Sequence, residues 1–273
     1  MIKSAVTISI VEQARRGPFV FHDDVTAGCR KAAELGFDAV ELFAPSAEAI
    51  MALPLAALLQ EYDLSLAAVG TGAGMIIHGL HLCDPDTARR KTAQDFIRGI
   101  IDAGAPYGAP AIIGSMQGRW DARAGINSAT ATQLLRDSLE SLGIHATGQG
   151  VPLIYEPLNR YETNLAVTME QGMELLEPLS TENVMLLADL FHMNIEESNI
   201  ADGLRAAGHH VGHVHFVDSN RQAAGRGHID YTPVVQALRD IGFNGYASAE
   251  AFPTPTSDEA ARQTIESFNA AFQ

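Results

Sequence analysis

Apolar and polar positions alternate in blocks along this chain, and the blocks keep one order. A short apolar run comes first, then a polar break, then a longer stretch whose apolar residues recur at helical spacing. The short runs at residues 5–10, 37–43, 64–69, 111–115, 151–156, 184–189, 209–217 and 245–250 read as strands. The stretches between them read as helices: one opening at Asp24 and closed by Gly36, then 46–61, 84–107, 128–148, 168–179, 195–207, 231–241 and 257–272. Eight strand–helix pairs in strict alternation predict a parallel sheet covered by helices. At this length they predict a closed (β/α)8 TIM barrel rather than an open sheet. No linker or compositional break divides the chain, so residues 1–273 read as a single barrel domain. Residues 70–82 carry glycines without a helix directly after them. They read as a flexible loop over a pocket and not as a dinucleotide fingerprint, so no nucleotide cofactor is expected.

Composition changes little in that picture. Apolar residues make up 47% of the chain and charged residues 19%, an ordinary globular balance. The formal net charge of −15 does change it, because a nucleic-acid partner needs a basic face and none is visible. Cys29 and Cys83 have no CxxC neighbour and read as reduced thiols of a cytoplasmic protein. The N-terminal apolar run is too short for a leader and reads as the first strand, and no window is long enough to predict a membrane span.

The chemistry lies at the strand ends. Strand five ends in Glu156, strand six in Asp189, strand seven in His215 and strand eight in Glu250, spaced 33, 26 and 35 residues apart. Neighbouring strands of a barrel lie about 4.8 Å apart, so four successive tips form an arc on one side of the mouth. Three carboxylates and an imidazole make a mostly hard donor set. It suits one divalent ion, Mn²⁺ or Mg²⁺ first and Co²⁺ or Zn²⁺ as alternatives. Asp189 sits within an apolar run, where an unpaired charge is costly. His213 faces the same side as His215 one layer deeper, and reads as a core histidine. The glycine-rich turn after strand seven, with Gly225, Arg226 and Gly227, and Arg119 after strand four are candidates for an anion site, since barrels of this class often bind phosphate near the last two loops.

Several segments resemble the sugar isomerase/epimerase barrels of the xylose-isomerase-like superfamily, which include ketose 3-epimerases and hydroxypyruvate isomerase. The resemblance is carried by EPLNRYETN from Glu156, ADLFHMN around Asp189, HVHFVDSNR from His213 and SAE ending at Glu250. It implies that Glu156, Asp189, His215 and Glu250 hold one metal and that Glu156 and Glu250 also transfer the proton. It further implies that Glu162, His192 and Arg221 contact a sugar. The expected activity is isomerisation or epimerisation of a small ketose, ketose phosphate or related hydroxy-carbonyl compound through an enediolate. The partner is then a small molecule rather than nucleic acid or membrane, and pairing through surface helices would give a homo-oligomer. A dehydratase on the same metal barrel, an endonuclease-IV-like repair enzyme and a non-catalytic sugar-binding barrel are the competing readings.

Overall fold

The computed structural model describes residues 1–272. Eight parallel strands form the barrel: β1 (Lys3–Ser9), β2 (Ala39–Phe43), β3 (Ser65–Gly70), β4 (Ala111–Ile113), β5 (Leu153–Tyr155), β6 (Val184–Asp189), β7 (Val211–His215) and β8 (Tyr246–Ala249). Each pairs with the next, and β8 returns to β1 in the register Lys3↔Tyr246 to Val6↔Ala249, so the sheet closes. A two-residue strand, Phe21–His22, adds to the end of β1 and was not expected. No helix among the described residues is long and apolar enough to cross a membrane.

The expected strand–helix alternation is present: the closed barrel follows from strands buried on both faces. One face of each strand meets the helices, where Val6, Ile8, Val40, Leu42, Leu153, Leu186 and Val214 join the main apolar layer. The other face fills the barrel. Ala5, Ala39, Ala67 and Tyr246 form one small interior cluster, and Ala68, Ile112, Ile154 and Leu187 form another. The interior is thus a packed plug beneath the mouth and not a pore.

Local signals set most helix ends. Asp24 caps Val25–Leu35 by accepting from Ala27 N, and Gly36 closes it at φ 87°. Thr168 caps Met169–Leu176 and Asp86 caps Thr87–Gly104. Two expected helices differ in extent. Residues 46–61 split into Ala47–Met51 and Leu55–Tyr62 at Pro54, whose nitrogen has no hydrogen to donate. The helix expected at 195–207 is shortened to Ile200–Ala207, capped by Asn199, and a separate, unexpected helix, Leu190–Glu196, follows β6 directly. The loop expected at 70–82 contains a short helix, Ala73–His78.

One irregularity matters for the mouth. Between β6 and β7 the register steps from Leu186↔Val211 to Leu187↔His213, leaving Gly212 unpaired. A Cβ at Gly212 would stand 2.7 Å from Met185 Cβ, so only glycine allows this approach. The bulge aligns His213 with Leu187 and His215 with Asp189, levelling the imidazole with the carboxylate.

Candidate metal centre

The four strand-tip residues converge. Each of Glu156, Asp189, His215 and Glu250 offers one ligand atom, and these atoms all lie within 4.8 Å of one another. His215 Nδ1 stands 3.2 Å from Asp189 Oδ2, 3.6 Å from Glu250 Oε2 and 3.7 Å from Glu156 Oε1. Asp189 divides its two oxygens. Oδ1 caps the helix Leu190–Glu196, accepting from Phe191 N at 2.8 Å and His192 N at 3.3 Å, which leaves Oδ2 for the centre. Glu156 is fixed through its backbone: its carbonyl accepts from Gln117 Nε2 at 2.9 Å, while the Gln117 oxygen accepts from Tyr155 OH at 2.7 Å. Gln117, which the sequence alone did not single out, is fully buried.

Glu41, within the second expected strand, proves to be an interior residue. Its Oε2 lies 2.8 Å from His213 Nε2 and its Oε1 3.3 Å from His215 Nε2. His213 is accordingly a buried core histidine with a partner, as expected. Burial would raise the Glu41 carboxyl, but the charge on His215 and the hydrogen bonds from both imidazoles outweigh it and hold the group well below its usual range. A carboxylate on Nε2 leaves Nδ1 of His215 facing the three other carboxylates, the support commonly found behind a ligating histidine.

The charge balance fits a cation. Burial, with Glu250 and Asp189 close by, pushes the Glu156 carboxyl well above its usual range despite His215, and burial likewise raises Glu250. Burial opposes the charge on His215, yet the surrounding carboxylates hold its imidazole well above the ordinary value. Glu156 Oε1 is buried without a hydrogen-bond partner. A divalent ion would satisfy that oxygen and neutralise the excess negative charge, and three carboxylate oxygens with one imidazole nitrogen are a hard donor set suited to it.

Three further residues named from the sequence surround the same space. Arg221 Nη2 lies 2.5 Å from Glu250 Oε2, its Nη1 lies 3.3 Å from Glu162 Oε1, and its guanidinium covers the Phe191 ring at 4.9 Å. His192 Nε2 stands 3.7 Å from Glu156 Oε1 and 3.8 Å from Asp189 Oδ2, and burial drives this imidazole down to about 4. His192 Nε2 and Arg221 Nε are both buried without partners. A cavity of about 400 Å³ opens beside Arg221 and Glu162. Its lining is mixed: Glu41, Glu156, Glu162, His215, Arg221 and Glu250 are polar or charged, and Phe19, Phe43, Ile76, Ile112 and Leu158 are apolar. Gly72 brings the 70–82 segment onto its wall.

The anion candidates do not join this cavity. Arg119 is exposed and donates to Tyr161 O at 2.8 Å. Arg226 is exposed as well, and its carbonyl accepts from Asn220 Nδ2 at 2.9 Å. Gly225 and Gly227 do form a cradle, but its anion is the protein's own Asp218. The Asp218 carboxylate accepts from Gly225 N and Ser219 N at 2.8 Å and from Ile229 N at 3.2 Å. A Cβ on Gly227 would stand 2.0 Å from Asp218 Oδ1. Burial raises the Asp218 carboxyl, but the backbone donors outweigh it and keep the group below its usual range. The local signal was an Asp followed by a glycine-rich turn, which favours capture of nearby amides by the side chain.

Comparison with known proteins follows the same lines. A family model described as xylose isomerase-like TIM barrel matches residues 29–271. The D-psicose 3-epimerase of Ruminiclostridium cellulolyticum is 32% identical over 229 residues, covering 81% of this chain and 76% of the relative. The L-ribulose 3-epimerase of Methylomonas sp. is 30% identical over 251 residues, covering 88% and 84%. A crystal structure of D-psicose 3-epimerase with D-tagatose from Clostridium cellulolyticum H10 superposes with a TM-score of 0.83. It covers 100% of both chains at 24% identity, which speaks for the fold alone.

Proposed function

The chain belongs to the xylose isomerase-like TIM barrel family, and on that premise we propose that it is a divalent-metal-dependent epimerase of a small, unphosphorylated ketose. One observation carries the reading: Glu156, Asp189, His215 and Glu250 meet within 4.8 Å at the barrel mouth, beside a cavity with unpartnered polar atoms around it. The curated relatives support it, being D-psicose and L-ribulose 3-epimerases by name.

Epimerisation needs a proton taken from a carbon next to a carbonyl and returned on the other side. A divalent ion held by the four side chains, Mn²⁺ being our choice, would polarise the substrate's carbonyl and hydroxyl oxygens and so acidify that C–H bond. Glu156 and Glu250 stand at the two ends of the arc, on β5 and β8. In our reading one carboxylate takes the proton, the electron pair of the C–H bond passes into an enediolate, and the other carboxyl returns a proton to the same carbon. Arg221 and His192 offer hydrogens to the substrate oxygens, and Glu162 positions Arg221.

The wall of the cavity supports a substrate without phosphate. Among the described residues lining it, Arg221 is the one lysine or arginine, and it already pairs with Glu250 and Glu162. Arg119 and Arg226 lie outside. A phosphate dianion would face net negative charge there. The test is a panel of free ketoses and ketose phosphates incubated with Mn²⁺ in deuterated water. The expected result is a mass-conserved epimer of a free ketose carrying one solvent deuteron. Products that have lost water, turnover confined to phosphorylated sugars, or no exchange with any ketose would overturn the reading.

A further inference from the structure

His192 Nδ1 is met by two donors from a single residue. The backbone N–H of Asn159 lies 3.2 Å away and its side-chain Nδ2 2.7 Å away. The backbone donor settles the direction, because an amide nitrogen cannot accept. The side-chain amide is oriented independently: its Oδ1 accepts from Tyr161 N at 3.0 Å, and its Nδ2 also donates to Glu162 Oε1 at 3.1 Å. Asn159 is 2% exposed, so water offers no alternative partner. An Nδ1 that accepts two hydrogen bonds carries no hydrogen of its own. The imidazole must then be neutral, with its proton on Nε2.

Nε2 is the buried nitrogen without a partner, facing Glu156 Oε1 and Asp189 Oδ2 at 3.7 and 3.8 Å. We infer that Asn159 is a positioning residue that locks His192 as the Nε2–H tautomer. The lock has two consequences at the barrel mouth. A ring nitrogen bearing hydrogen has no lone pair for a cation, so His192 stays out of the coordination sphere although it stands beside two of the carboxylates. The same N–H becomes a fixed donor to an oxygen of the bound substrate, already oriented before the substrate arrives. The donor role rests on the epimerase reading; the tautomer does not.

The test separates the two. The chain is labelled with ¹⁵N-histidine and measured with Mg²⁺ present, and the His192 signals are identified among the ten histidines by difference from His192→Gln. The expected wild-type spectrum shows a bare Nδ1 and a protonated Nε2. Asn159→Asp, which places a carboxylate against Nδ1, is expected to move a proton onto Nδ1. It should lower kcat/KM by about 100-fold, the usual scale for losing one aligned donor. Asn159→Ala keeps the backbone N–H and is expected to retain the wild-type tautomer with a smaller loss. A proton on Nδ1 in the wild type overturns the inference without any variant. So does an unchanged His192 signal in Asn159→Asp, and so does undiminished kcat/KM in that variant. A chain that turned over no ketose would fail the functional reading, while the wild-type spectrum would still decide the tautomer.

Discussion

Glycine at position 114 leaves room for the Glu156 carboxylate, and Gly114→Ala tests whether that room matters. An ideal Cβ at 114 would stand 2.4 Å from Glu156 Oε2, where ordinary contact begins at 3.4 Å, so the oxygen must retreat about 1 Å. Leu158 Cδ2, at 3.8 Å, would be in ordinary contact and need not move. The strain therefore falls on the carboxylate. Its backbone is pinned by Gln117, so the side chain must rotate away from the position it shares with Asp189, His215 and Glu250. A misplacement of about 1 Å at a reacting group costs on the order of 100-fold in rate. We expect kcat on the Mn²⁺-loaded enzyme to fall by about that factor, KM to change less, and Mn²⁺ binding measured by calorimetry to weaken. The fold should survive, because the clash is with a side chain and not with the sheet. Gly148→Ala is the control: it lies exposed in the helix Ser128–Gln149 with nothing within 4 Å of a new Cβ. It should leave activity unchanged and add about 0.5–1 kcal/mol of stability. Wild-type kcat and Mn²⁺ affinity in Gly114→Ala would refute the reasoning, since the carboxylate would then tolerate displacement.

Other expectations are simpler to state. Glu156→Gln and Glu250→Gln should each lower kcat by about 10³-fold, the scale of a lost general acid–base group, while circular dichroism shows an intact barrel. Without metal, Glu156→Gln should melt no lower than the wild type, because it removes one of three crowded carboxylates; a clear drop in thermal melting would count against a cation-deficient centre. Asp218→Ala should cost roughly 3 kcal/mol in urea unfolding, because it leaves the amides of Ser219, Gly225 and Ile229 without their acceptor; a change under about 0.5 kcal/mol would dismiss the cradle. Cys29 and Cys83 are buried and free, and burial pushes both thiols up to about 11. The reactive thiolate is scarce below that value, so both should resist a thiol-specific reagent at pH 8 in the native protein and react once it is unfolded.

The sequence by itself determined the barrel and the position of its chemistry. Strand and helix periods are local, and so are caps such as Asp24 and Thr168. A charged residue closing an apolar run, as Glu156 and Asp189 do, marks a strand tip without knowledge of its neighbours. Pro54 was passed over: the expected helix 46–61 ran through it, although its missing N–H is a local reason for the break. What only the tertiary structure decided was which polar groups spend themselves on each other. Gly225 and Gly227 looked like donors for a ligand, but chain folding brought Asp218 to them first. Arg119 and Arg226 carry charge suited to an anion, yet their loops leave them outside the cavity. Glu41 was one residue of the second strand until barrel closure placed it under two histidines from β7, across 172 and 174 residues of sequence. Asp189 was expected to face the centre, but only the helix starting at Leu190 shows that one oxygen is committed to capping and the other left free. Hydrogen bonds are satisfied by whatever is near in space. For side chains far apart in sequence, that partner is fixed by the closure of the sheet and the paths of its loops.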